Sequence, residues 1–156
     1  MSTYFLDTSA LVKRHIREPG HTWIESLCDP VAGNTIVISE AALVEVVASL
    51  ARMVRERPRR LTPGTRDRHI ALFERFAASE YVVISLNRTI ITRAAALCRT
   101  HPLRAYDAVQ LACALTKRDD DMAAGLPAPI FVCADVTLLN AAVNEGLAIE
   151  NPNTHP

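Results

Sequence analysis

Three observations predict an α/β fold for this 156-residue chain, with helices layered on both sides of a short, mostly parallel sheet. Strand-like and helix-like segments alternate from end to end, which argues for a parallel sheet. The best-defined strand candidate, Thr35-Ile36-Val37-Ile38, is β-branched throughout, as a strand buried on both faces requires. The apolar share is 49% with only 5% aromatic, so Ala, Val, Leu and Ile supply the close-packed interior. A chain of this length forms one domain, set here at residues 1–150, with a loose tail over 151–156.

The elements follow in order. Tyr4-Phe5-Leu6 is a short apolar run stopped by Asp7, after which the pattern turns helical. Ser39 has the chemistry of an N-cap, with Glu40 in the first turn, and Leu43, Val47, Leu50 and Val54 form one helical stripe. Pro58 and Thr62-Pro63-Gly64 break it. A helix over Arg66–Ala78 and the strand Tyr81–Ile84 come next. Ser85 or Asn87 starts another helix, halted by His101-Pro102, and a helix from Tyr106 to Thr116 follows. Asp119 to Pro129 reads as a loop, its Asp119-Asp120-Asp121 run solvated. Strand Ile130–Cys133, a helix to Asn144 closed by Gly146, and a last strand at Leu147–Ile149 complete the chain.

Positive and negative residues balance at 17 each, so bulk charge gives no support for a nucleic-acid partner. Cys28, Cys98, Cys113 and Cys133 show no paired spacing and read as reduced, buried or half-buried thiols. The N-terminus has no basic leader, and no run approaches the ~18 apolar residues of a membrane span. A cytoplasmic protein with no membrane association is expected.

Four carboxylates stand in surroundings unusual for surface residues. Asp7 and Asp135 each close an apolar strand, where open α/β sheets bind ligands. Either one alone is equally an ordinary helix cap. Glu45 lies mid-helix, with the small residues Ala41, Ala42, Ala48 and Ser49 three and four positions away. Such a face leaves room for an ion and its waters; a Glu–Arg pair with Arg52 is the plainer reading. Asp107 opens an apolar helix, where a first-turn acid also suits the dipole. Together the four suggest a hard-cation site for Mg²⁺ or Mn²⁺, because these ions choose carboxylate and water oxygens. No His or Cys stands at zinc spacing. Acid clusters of this kind support phosphodiester cleavage, since the metal acidifies a bound water and offsets charge on the phosphate. Thr8 and Ser9 either orient the water or phosphate or cap the helix that follows.

These residues resemble a known family. Asp7-Thr8-Ser9-Ala10-Leu11-Val12-Lys13 with Glu18-Pro19-Gly20, then Ser39 through Glu45, then Leu103-Arg104-Ala105-Tyr106-Asp107-Ala108, then Ala134-Asp135-Val136-Thr137-Leu138-Leu139 are similar to the four motifs of PIN domains of the VapC kind. The resemblance spans residues 3 to 149. It implies a three-layer α/β/α sandwich with Asp7, Glu45, Asp107 and Asp135 binding Mg²⁺ or Mn²⁺ at one end. It further implies an RNA substrate cut endonucleolytically, homodimerisation, and inhibition by a cognate antitoxin protein. In the fourth motif Val136-Thr137 stands where relatives often place a further polar or acidic residue, which bears on a second metal.

From Arg52 to Arg68 the chain holds seven arginines against Glu56 and Asp67. Of these, Arg52, Arg55, Arg59 and Arg60 are candidates for holding RNA backbone, since the guanidinium fork grips two phosphate oxygens. A solvated helix end, or pairing with antitoxin acids, accounts for them as well. The alternative function is a catalytically weak RNA- or protein-binding module on the same fold. A haloacid-dehalogenase-type phosphatase is disfavoured because Ser9 stands where its second Asp belongs. A response-regulator receiver is disfavoured because its phosphorylated Asp follows an interior strand.

Overall fold

The computed structural model describes residues 2–57 and 60–155. Five strands alternate with seven helices. They are β1 (Thr3–Leu6), α1 (Thr8–Lys13), α2 (His21–Leu27), β2 (Thr35–Ser39), α3 (Ala41–Glu56) and α4 (Pro63–Ser79), then β3 (Tyr81–Ile84), α5 (Arg88–Thr100), α6 (Ala105–Ala123), β4 (Ile130–Val132), α7 (Val136–Asn144) and β5 (Ala148–Glu150). The strand order is β3-β2-β1-β4-β5, and every pairing is parallel. The sheet is therefore wholly parallel.

Strand alternation sorts the core into two layers. Phe5, Val37 and Phe131 face one way and pack with Ile90 and Leu97 of α5, Leu111 and Leu115 of α6, and Leu138 of α7. Leu6, Ile36, Ile38 and Val132 face the other way, against Leu11, Ile24, Val46, Leu50 and Phe73 of α1 to α4. Phe5 and Phe131 stack across the β1–β4 pair with ring centroids 5.8 Å apart. Because β2 and β3 lie on one side of β1 and β4 and β5 on the other, the winding reverses between β1 and β4. A crevice opens there beyond the carboxyl ends of the strands.

Three readings are corrected. The acid run Asp119–Asp121 is the end of α6, not a loop: Asp121 is buried and pairs with Lys117 one turn back, and Asp119 pairs with Arg93 and Arg118. The helix stops at Gly125, whose φ of +73° lets Leu126 N–H reach the Asp121 carbonyl at 2.8 Å and Gly125 N–H the Met122 carbonyl at 3.1 Å, a Schellman closure. The tail expected to be loose packs instead: Pro152 is buried in a 3₁₀ turn, and His155 stacks on Trp23 with centroids 4.0 Å apart. Cys98 is exposed, whereas Cys28, Cys113 and Cys133 are buried, and all four thiols are free.

Candidate active site

Asp7 follows the last residue of β1 and is 5% exposed. Its Oδ1 caps α1 by accepting from Ala10 N–H at 3.0 Å and also accepts from the Ser9 hydroxyl at 2.7 Å. Capping thus falls to Asp7 rather than to Thr8 or Ser9. Asp135 does the same for α7, accepting from Leu138 N–H at 3.1 Å. The cap leaves the second carboxylate oxygen of each without a hydrogen bond among the described residues, so capping and ligation do not compete. Burial raises the Asp7 carboxyl to about 6, against which the Ser9 and Ala10 hydrogen bonds work. Among the described residues no cation pairs with it.

Ser9 ties the two strand ends together, since its hydroxyl also accepts from Ala134 N–H at 2.8 Å. Thr8 reaches across to α3 and donates to Glu45 Oε2 at 2.9 Å. The same oxygen accepts from the Gln110 amide at 2.5 Å, and that amide also donates to Thr8 Oγ1 at 3.1 Å. Gln110 Oε1 in turn accepts from Ser39 at 2.7 Å, and Ser39 Oγ accepts from Ala42 N–H, performing the cap bond read for it. Glu45 is held by neutral donors, and no arginine pairs with it among the described residues. Asp107, in the first turn of α6, is raised above the ordinary carboxyl range by burial and then by the neighbouring Asp135 charge.

All four acids, with Thr8, Ser9 and Arg52, line one cleft of about 400 Å³. Arg55 lies on α3 but does not line it, Arg59 falls outside the described residues, and Arg60 donates to Glu18 at 3.3 Å beside a neighbouring cavity. Lys13, Glu18, Arg104 and Gln110 also line the cleft. Of these, Gln110 stands three residues after Asp107, on the same helical face, and that spacing was the signal for it. Nothing in the sequence marks Arg104 apart from its place inside the third motif.

The donor set fits a hard divalent cation by its chemistry, being all oxygen with an uncompensated buried carboxylate at its centre. Among the described residues, no three His, Cys, Asp or Glu side chains stand close enough to share one ion directly. The fit is therefore to an ion held by one or two carboxylates and otherwise through water, the usual manner of Mg²⁺.

The family model of the PIN domain matches residues 4–120, and this chain belongs to the PIN-domain family. No curated protein matches it by sequence. Among solved structures, it is similar to VapBC2 from Rickettsia felis bound to a promoter DNA fragment, at 15% identity and TM-score 0.62, over 96% of this chain and 98% of that one. It is also similar to FitAcB from Neisseria gonorrhoeae, at 17% identity and TM-score 0.60, over 96% and 97% of the two chains. A toxin–antitoxin complex from Klebsiella pneumoniae gives the same identity, TM-score and coverage. At these identities the likeness is one of fold. Among the described residues no helix is long and apolar enough to cross a membrane.

Proposed function

We propose that this chain is a Mg²⁺- or Mn²⁺-dependent endoribonuclease, the toxin of a toxin–antitoxin pair. One observation carries the catalytic reading: acids from four separate elements line a single cleft at the switch point of a parallel sheet. A divalent ion bound there would acidify water and offset charge developing on a phosphodiester. Asp7 and Glu45 are the nearest to fixed, Asp7 by its cap and Ser9, Glu45 by Thr8 and Gln110. Asp107 and Asp135 face one another electrostatically and complete the acid set. Arg52 at the rim suits a phosphate oxygen. The toxin reading, with a cognate antitoxin as partner, is supported by the toxin–antitoxin complexes among the similar structures; a homodimer is part of the same proposal by family resemblance alone.

The test is cleavage of RNA by purified chain freed of any partner. With Mn²⁺ or Mg²⁺ the native protein should cut internally, EDTA should stop it, and Asp7→Asn or Glu45→Gln should lower the rate by roughly 10²-fold or more. Equal cleavage by native and Asp7→Asn protein would end the proposal. A second reading, a binding module with weak or no catalysis, is favoured by Val136-Thr137 after Asp135 and by the lack of direct three-ligand geometry. Calorimetry separates the two, because the nuclease requires Mn²⁺ heat that disappears in Asp7→Asn.

A further inference from the structure

A second cavity of about 500 Å³ lies between the segment that follows α1, helix α2, and α4 with the residues just before it. Arg14, Arg17 and Arg60 line it with His15, His21 and His69, against the single acid Glu25. Part of this charge is already engaged. Arg14 donates to Tyr81, to Glu80 at 3.1 Å and to the Cys28 carbonyl, and its guanidinium lies 3.6 Å above the Phe76 ring. His21 pairs with Glu25 at 3.2 Å. Arg60 spends one nitrogen on Glu18 and the Arg17 carbonyl, which leaves the rest of its fork. Among the described residues the Arg17 guanidinium has no partner.

His15 is the feature that points to a ligand. It is 6% exposed and lines the cavity, yet its Nδ1 is buried with no hydrogen-bond partner among the described residues. Its ring meets His69 edge-on, with centroids 5.7 Å apart. Burial first, then His69, Arg14 and His21, press His15 down to about 4. A neutral, under-bonded imidazole among cations is the setting that an anion relieves, since it accepts from the guanidinium groups and favours a protonated ring.

We infer that this cavity is a phosphate subsite for the RNA strand whose scissile linkage occupies the acid cleft. The two sites share a wall. Glu18 lines the cleft, where its Oε1 accepts from Lys13 at 3.1 Å, and its Oε2 accepts from Arg60, which lines the cavity. A strand leaving the acids therefore meets cationic groups within one side chain's length. Phosphate contacts of this kind position a nucleic acid without reading its sequence. The inference rests on the ribonuclease reading, but its test stands apart from cleavage.

The test is anisotropy of a fluorescein-labelled single-stranded RNA in EDTA, over a series of salt concentrations. Arg17→Ala and Arg17→Glu, both at an exposed position, should weaken binding about 5-fold and more than 10-fold. Each should flatten the log Kd against log salt slope by roughly 0.7 per lost phosphate contact. His69→Ala should act in the same direction, and Arg99→Ala, on exposed α5 surface, should change neither quantity. Inorganic phosphate should shift the His15 ring resonances of the native protein. Native-like affinity and slope in both Arg17 variants overturns the subsite while leaving the nuclease standing if Mn²⁺-dependent cleavage persists. Arg17-dependent binding of an acidic peptide, with RNA binding unaffected, also overturns it and makes the cavity a protein-docking site. Cleavage by Asp7→Asn at the native rate sinks the nuclease reading without touching the salt slopes.

Discussion

Asp7 closes the first turn of α1 through Oδ1 and also lines the cleft. Without metal, its negative charge is a burden. Its folded carboxyl titrates at about 6 against 3.8 for an ordinary Asp, because burial disfavours the ionised form. A raised acid costs nothing while both states are protonated, below about pH 4. The stability it lends is lost as pH rises through about 6, by about 3 kcal/mol. Asp7→Asn keeps the cap acceptor and removes the charge. Metal-free Asp7→Asn should therefore melt above metal-free native protein at pH 8, and the gap should close by pH 4. Saturating Mn²⁺ should stabilise only the native chain. A metal-free variant that melts no higher at pH 8 would show that the carboxylate is not penalised as its burial requires.

Helix α2 packs against the C-terminal 3₁₀ turn through the residue that precedes it. Gly20 precedes α2 with φ of +85°, and a Cβ built there would lie 2.2 Å from the Pro152 carbonyl oxygen. The C-terminal segment can approach this closely only because position 20 has no side chain. Gly20→Ala should cost roughly 2–4 kcal/mol in urea unfolding, partly from the left-handed backbone and partly from the clash. Removing residues 151–156 should bring the cost of the same substitution down to about 1–2 kcal/mol, the backbone share alone. An equal cost in both backgrounds would mean that the tail contact is not what excludes a side chain. The same truncation also strips Trp23 of its stacking partner His155, so the shortened chain should itself be less stable.

Across the whole molecule, the two helical layers differ in how they treat ionisable groups. On the α5–α7 side the buried ionisable group Asp121 is paired with Lys117, whereas the α1–α4 side holds His15 among Phe73, Phe76 and His69 with its Nδ1 unpartnered among the described residues. His15 titrates at about 4 when folded, below its usual 6.5, chiefly from burial. A depressed histidine lends stability that is full above pH 6.5 and is lost as pH falls toward 4, by about 3 kcal/mol. In phosphate-free buffer the Asp7 contribution is common to native protein and His15→Phe, which keeps the aromatic packing, so the native protein should lose urea resistance relative to the variant over that window. Parallel pH profiles for the two proteins would remove His15 as the source of acid sensitivity.

Much of this architecture was legible in the residues themselves. Thr35–Ile38, Tyr81–Ile84 and the stop at Gly146 fell where local chemistry put them, because β-branching, alternation and glycine closure act over a few neighbours. The end of α6 was misread because three consecutive acids look like solvated loop. Of their partners, Arg93 is brought in only when α5 packs on α6, whereas Lys117 stands one turn back on α6 itself, a spacing that becomes a contact once the helix is extended through the acids. Gln110 shares a helical face with Asp107, but as a lone amide it is unremarkable, and its value lies in joining Ser39, Thr8 and Glu45 from three other elements.

The sequence by itself determined the alternating parallel fold and its family and singled out four acids as candidates, because strand burial and motif spacing are written along the chain. The tertiary structure alone decided that these acids border one cleft with Gln110 between them, that the tail is packed, and that a histidine-lined basic cavity adjoins the cleft. Those are contacts between residues far apart in sequence, and no local pattern encodes a distance that only the closed sheet creates.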